Sequence, residues 1–355
     1  MVNAAFLKRN WKIILNIVTL LALVLLVFFS RDQLINTLDN ISKINVLILL
    51  LIIPVEAINY HAQTRLYQRL FSIVGNELSY KSLFRTSLEL NFVNHVFPSG
   101  GVTGISYFGL RLRKGAEISG AKATLVQVMK LALTFLSFEL LILIGLIMLS
   151  AVGKVNGLLI FVAAFLSAIV LVGTLVFGYI VGSKQRINAS FTAATKAVNR
   201  LIQLVRPNHP ETISINGARQ TFDDFHDNYQ VLKSSWRQLR GPFWYAFLTN
   251  LTEVMAIYVV YLAFGEMVNF GAIIIAYAVA NFAGLVSVLP GGVGIYEALM
   301  TAVLASAGIP PGVSLPVTVM YRVVNTLIQV PPGYYLYQKA IRRGEMSPRS
   351  ERHVP

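Results

Sequence analysis

Long apolar runs constrain this chain more than any other feature of its sequence. Runs of about 17 residues or more lie at 12–29, 44–60, 123–149, 155–182, 243–264 and 316–338. As helices rising 1.5 Å per residue, each spans most of a hydrocarbon core roughly 30 Å thick. An unpaired backbone amide costs several kcal/mol in lipid, so such runs cross as helices whose hydrogen bonds are internal. With 55% hydrophobic and 13% charged residues among 355 and a mean hydropathy of +0.63, the composition lies outside the soluble globular range. The predicted fold class is an all-α polytopic membrane protein with about six full spans. Lys8, Arg9 and Lys12 precede the first run and no small-residue cleavage site follows it, which predicts a retained span. Cysteine is absent, which excludes thiol catalysis, cysteine-ligated zinc and disulfides.

Two further apolar stretches, near 84–110 and 270–308, are interrupted in the middle by "FPSGGVTG" and "LPGGVG". Gly and Pro are the poorest helix formers, so each stretch predicts a broken helix or a re-entrant hairpin. Loop charge decides how they sit. If both hairpins enter and leave on one side, 25 of the 30 Lys and Arg, Arg85 included, share a face with both termini, and Arg31, Lys43 and Lys154 lie opposite. That bias predicts a multi-pass cell-membrane protein with both termini cytoplasmic and hairpins of opposite entry side. The predicted plan is a first membrane half over 1–182, a basic cytoplasmic insertion over 183–242, a second membrane half over 243–338 and a basic cytoplasmic tail over 339–355.

The two breaks read as copies of each other. Asn91-Phe92 matches Asn281-Phe282, and "PSGGVTGISY" at Pro98 matches "PGGVGIYE" at Pro290. Glu56 and Glu253 precede their prolines by 42 and 37 residues, while Lys130 and Arg322 both follow theirs by 32. Halves that start on opposite sides form an inverted repeat, the arrangement of many transporters, in which broken helices meet at the midplane. Irregular backbone is tolerated at that depth where it lines a cavity, and successive glycines permit close approach and positive φ. A half-helix beginning near Ile295 directs free amides at an anion.

The candidate substrate-binding set is therefore Lys130, Arg322, Gly100, Gly101, Gly104, Gly291, Gly292, Gly294 and Glu297, with the two cations suited to a phosphate. Glu56 and Glu253 are candidates for charge balance or proton coupling. Equally open are structural ion pairs, Glu56 with Lys130 and Glu253 with Arg322, and packing turns at the glycines. Glu139 is a further candidate, and Tyr321, Asn325 and Gln329 share the helical face of Arg322.

The insertion places Ile187, Phe191, Ala194, Val198, Leu201 and Val205 at helical spacing, which predicts cytoplasmic or interfacial helices. Asp223, Asp224, His226 and Asp227 lack metal-ligand spacing and read as a solvated face. No metal or cofactor is expected. The net charge of +14 follows from membrane orientation, and nucleic acid is not an expected partner.

With these motifs in hand, the chain resembles the lysylphosphatidylglycerol synthetase transmembrane family, the flippase-like domain found alone or at the front of the multiple peptide resistance factor. "PGGVGIYEA" and the downstream "YRVVNTLIQVPPG" carry the resemblance. It implies movement of a lipid with a polar or charged headgroup between leaflets, with the Gly-rich turn, Glu297 and Arg322 matching the family motif. In the fused relatives an aminoacyl-transferase domain follows, whereas this chain ends about 17 residues after its last span, so lipid aminoacylation is not expected of it. The first turn has Ser106-Tyr107 where the second has Tyr296-Glu297. The expected partner is a membrane phospholipid or polyprenyl-phosphate lipid, and the expected activity is transport without catalysis. The alternative is a membrane-embedded enzyme or accessory subunit of envelope glycolipid synthesis, which would partner envelope-biosynthesis enzymes. A third reading, a structural scaffold, predicts no lipid-sized cavity.

Overall fold

The computed structural model describes residues 44–97, 102–115, 118–205, 215–284 and 293–343, together with Leu21, Val24 and Ile35. Gly100, Gly101, Gly291 and Gly292 lie outside the described residues, as does the first predicted span except for Leu21 and Val24, which are helical and exposed.

The continuously described part starts with a short α1 (Val46–Leu49) and continues into α2 (Ile52–Ile73). The Asn45 side chain accepts from the amides of Leu47 and Ile48 and so starts α1. Pro54 lacks the N–H that would bond the Leu50 carbonyl, which separates α1 from α2. A first hairpin follows, α3 (Tyr80–Val96) and α4 (Val102–Gly115), and then two long helices, α5 (Gly120–Ala151) and α6 (Gly157–Val181). The insertion forms α7 (Lys184–Val205) and α8 (Ile215–Ser234). A 3-10 turn, Trp236–Leu239, leads into α9 (Arg240–Ala263). The second hairpin, α10 (Phe270–Gly284) and α11 (Ile295–Ser306), precedes α12 (Pro311–Arg342). Pro311 opens α12 at a position where no N–H is required.

Among the described residues five segments are long and apolar enough to cross a membrane, over 46–73, 120–151, 157–181, 236–263 and 311–342. They match the second to sixth predicted runs. One boundary is corrected. The predicted span 44–60, with a loop expected from His61 onward, remains helical to Ile73, because Gln63, Thr64 and Tyr67 lower its hydropathy while facing protein rather than water. On α6, Phe161, Phe165 and Leu175 are exposed, as expected of side chains that face lipid.

Helix packing repeats between the halves. The α2 and α9 helices pack against each other; α3 packs on α12 as α10 packs on α5, and α4 packs on α5 as α11 packs on α12. Each hairpin thus lies between the closing helix of its own half and that of the other. Glycine permits both of the cross-half contacts. A Cβ on Gly271 of α10 would lie 2.5 Å from the Gly145 carbonyl oxygen of α5, and one on Gly333 of α12 would lie 2.6 Å from the Leu88 carbonyl oxygen of α3. Small residues of this kind let helix backbones approach closely where lipid supplies no hydrophobic drive.

The long helices are apolar at both ends and polar in the middle. One buried cluster holds Ile52, Phe138, Val260 and Met320, and another holds Leu66, Leu125, Ala246 and Tyr337. Between them lie Glu56, Asn59 and Gln63 of α2, Lys130 and Ser137 of α5, Asn250 and Glu253 of α9, and Asn325 and Gln329 of α12. This polar belt falls near the midpoint of each helix.

The insertion is docked rather than separate. Phe191 stacks on Phe222 with ring centroids 4.7 Å apart, α8 packs against α5, and Ile187, Phe225 and Leu232 join the second apolar cluster. The solvated-face reading of 223–227 holds for Asp224 and Asp227 only. His226 is buried, its Nδ1 2.7 Å from the Val181 carbonyl oxygen, and Asp223 accepts from Asn188. The exposed Lys184 pairs with Asp227 at 2.8 Å, and that hydrogen bond raises its pKa above the usual lysine value.

Candidate functional site

The polar belt encloses a cavity of about 440 Å³. Every helix of the two repeated halves from α2 onward except α6 contributes to its wall: Asn59 from α2, Asn91 from α3, Ile105 from α4, Lys130 from α5, Glu253 from α9, Asn281 from α10, Tyr296 from α11 and Arg322 from α12. Two of the pairs matched from the repeat meet in this wall, Asn91 with Asn281 and Lys130 with Arg322, whereas of the pair Glu56 and Glu253 only Glu253 reaches it.

The two cations are held differently. Arg322 donates from Nη1 to Glu297 Oε1, and its guanidinium lies over the Tyr296 ring, 5.0 Å from the centroid. Lys130 lines the same cavity; among the described residues its ammonium makes no ion pair and no hydrogen bond within contact distance, and the Glu253 carboxylate of the same wall attracts it at longer range. A cation within an apolar span is costly without a close counter-charge, so Lys130, whose attraction to Glu253 is not a contact pair, leaves room for an anion beside it.

Glu297 is 4% exposed and is not part of the cavity wall. Its Oε2 accepts from the Gly294 amide at 2.6 Å, and Gly294 has φ +89°, a conformation that needs glycine. The turn thus delivers the chain into α11 with a carboxylate already at the helix's positive end. Gly104 serves the first hairpin by proximity: a Cβ there would lie 2.0 Å from Asn94 Oδ1 on the facing arm.

Glu253 accepts from the hydroxyl of Tyr321, from Asn59 Nδ2 at 3.3 Å and from Asn325 Nδ2 at 3.5 Å. Gln329 Nε2 donates to Asn325 Oδ1 at 2.6 Å and to Glu56 Oε2 at 3.4 Å. Tyr321, Asn325 and Gln329, spaced four residues apart on α12, thus link Glu253 to the buried Glu56. The ion pairs considered from sequence are not those formed. The partners of Glu253 above are neutral donors, and Arg322 pairs with Glu297 across the α11–α12 contact.

Two features escaped the sequence reading. Glu89 of α3 accepts from Tyr107 at 2.7 Å and from Arg111 at 2.8 Å, a buried ion pair inside the first hairpin. Tyr107 stands where the second turn has Glu297, and the carboxylate comes from the opposite arm. An acid in an apolar helix followed by a basic residue one hairpin later was the available signal. The second is the wealth of carboxamides in the wall, of which the sequence pointed only to Asn91 and Asn281, as repeat markers, and to Asn325 and Gln329 on the face of Arg322.

Residues 13–333 match the family described as lysylphosphatidylglycerol synthase TM region. The chain belongs to that family. An UPF0104 membrane protein of Methanocaldococcus jannaschii is 22% identical over 327 residues, covering 91% of this chain and 92% of the relative. An UPF0104 membrane protein of Methanothermobacter thermautotrophicus is 22% identical over 327 residues, covering 88% and 90%. A local match to an UPF0104 membrane protein of the same organism reaches 32% over 92 residues, 26% of this chain and 28% of the relative. Membership in the lysylphosphatidylglycerol synthase TM region family and five apolar helices of crossing length make this a multi-pass membrane protein.

Proposed function

We propose that the chain moves a phosphate-bearing, polar-headgroup lipid between leaflets, the headgroup passing through the central cavity while the acyl or prenyl tails stay in the bilayer. The observation that carries this reading is Lys130, a cation with no anion in contact among the described residues, in the wall of a mid-span polar cavity that it shares with Arg322. A cavity of about 440 Å³ falls in the range of small-ligand sites, which suits a headgroup and not a whole lipid. The matched packing of the two hairpins supports alternating access, since two equivalent arrangements related by the repeat would open the cavity to opposite sides.

Catalysis is not part of the proposal. An enzyme using a soluble donor needs acid and base groups near an interface, whereas Glu56, Glu253 and Lys130 lie mid-span. In this reading, residues over 1–182 and 243–338 are the two moving halves and the docked insertion is cytoplasmic, with both termini on its side.

The test is reconstitution of the purified chain into vesicles carrying a headgroup-labelled phospholipid in the inner leaflet only. Protein-dependent appearance of label outside supports the proposal. A rate equal to that of protein-free vesicles refutes it.

A further inference from the structure

The carboxamides in the cavity wall ask for a particular headgroup. Nine of the 23 lining residues are Asn or Gln, drawn from six helices. A carboxamide offers one acceptor oxygen and two donor hydrogens, which complements hydroxyl groups that both give and take hydrogen bonds. Among the described residues, several of these side chains are bonded at one end and open at the other. Tyr67 donates to Gln127 Oε1 at 2.6 Å, so the Gln127 amide nitrogen remains for the cavity. Asn281 donates its Nδ2 to the Tyr277 carbonyl at 2.8 Å, which leaves Oδ1. Gln63 is 5% exposed, and its Oε1 has no partner among the described residues. The buried Tyr296 hydroxyl likewise has none there. A buried polar group left unsatisfied costs about 1–3 kcal/mol, so these two groups, together with the open ends of Gln127 and Asn281, mark a place where a ligand completes the bonding.

The charges point the same way. Lys130 and Arg322 supply the anion contacts, while Glu253, the carboxylate of the wall among the described residues, already accepts from three neutral side chains. An ammonium-bearing headgroup would find no uncommitted carboxylate there and would face the Lys130 charge. We infer that the cavity is built for a phosphorylated polyol, a sugar or cyclitol phosphate, in preference to an amino-bearing phosphate. The assignment of that polyol phosphate to a lipid rests on the proposed lipid transport.

Direct binding to the purified full chain in detergent separates these statements. The probes are glycerophosphoinositol, glycerophosphoethanolamine, inorganic phosphate and a short-chain phosphatidylinositol. Glycerophosphoinositol is expected to bind at least about tenfold more tightly than glycerophosphoethanolamine, the worth of one net hydrogen bond. Gln63→Leu is expected to remove about tenfold of that affinity and leave inorganic phosphate binding unchanged, since it replaces an unsatisfied amide with an apolar group of similar size. Asn281→Ala, on the other half, is expected to give the same pattern, and Lys130→Gln to weaken all four probes. Equal or tighter binding of glycerophosphoethanolamine, or equal loss of phosphate binding in Gln63→Leu, would overturn the polyol assignment while leaving lipid transport standing. The short-chain lipid is expected to bind more tightly than its deacylated form. Equal binding of the two would instead overturn the lipid source, and with it the proposed function.

Discussion

Arg322 on the last long helix pairs with Glu297 in the first turn of α11, so the closing span of the second half is tied to the start of its own hairpin arm. Both side chains are largely buried, at 15% and 6% exposure. Removing one partner of a buried pair costs about 3–5 kcal/mol because the other charge is stranded. Arg322→Gln should therefore lower thermal stability in detergent, and adding Glu297→Gln should recover most of the loss. The amide oxygen of the new residue can still accept from Gly294. Rescue by Glu253→Gln in place of Glu297→Gln would contradict this pairing.

Lys130 gives the opposite expectation. With no contact ion pair or hydrogen bond among the described residues to lose, and only a longer-range attraction to Glu253, Lys130→Met should change the melting temperature in detergent little. A fall comparable to that of Arg322→Gln would show that Lys130 has a structural partner.

The glycine contacts between halves make a third prediction. Gly271→Ala places a Cβ against the Gly145 carbonyl and should cost about 1–3 kcal/mol as the helices are forced apart. Gly109→Ala, with nothing within 4 Å of the added carbon, should be neutral or stabilising, because alanine is the better helix former by about 1 kcal/mol. Chemical or thermal unfolding of the two variants side by side checks the contrast.

Much of this architecture was legible in the sequence because lipid makes the code simple: apolar length gives the spans, and Pro-Gly breaks give the hairpins. Convergence of Lys130 and Arg322 on one cavity also followed from their equal offsets. What sequence missed was set by packing. Thr64 and Tyr67 look like loop residues until the neighbouring helices bury them. The choice of Glu297 over Glu253 as partner of Arg322 depends on the α11–α12 contact, which no spacing rule encodes. Glu89 and Arg111 were passed over for the same reason, since their pairing needs the hairpin to close.

Sidedness rests on loop charge alone and is open to direct test in a chain with no native cysteine. Cysteine introduced at the exposed position Lys154 should react with an impermeant reagent from outside the cell. Cysteine at Arg113 or at Lys233 should react after permeabilisation and not before. External labelling at Arg113 would reverse the assigned entry side of the first hairpin.

The central claim is that lipid headgroups cross through the cavity that Lys130 and Arg322 share. The most direct measurement is the initial rate of headgroup-labelled phospholipid crossing in vesicles containing wild type, Lys130→Gln or Arg322→Lys at equal protein density. Lys130→Gln should cut the rate at least about tenfold without loss of stability. Arg322→Lys keeps the charge but loses the planar two-donor fork, and should retain only part of the rate. A stable Lys130→Gln protein that moves lipid at the wild-type rate would contradict the account.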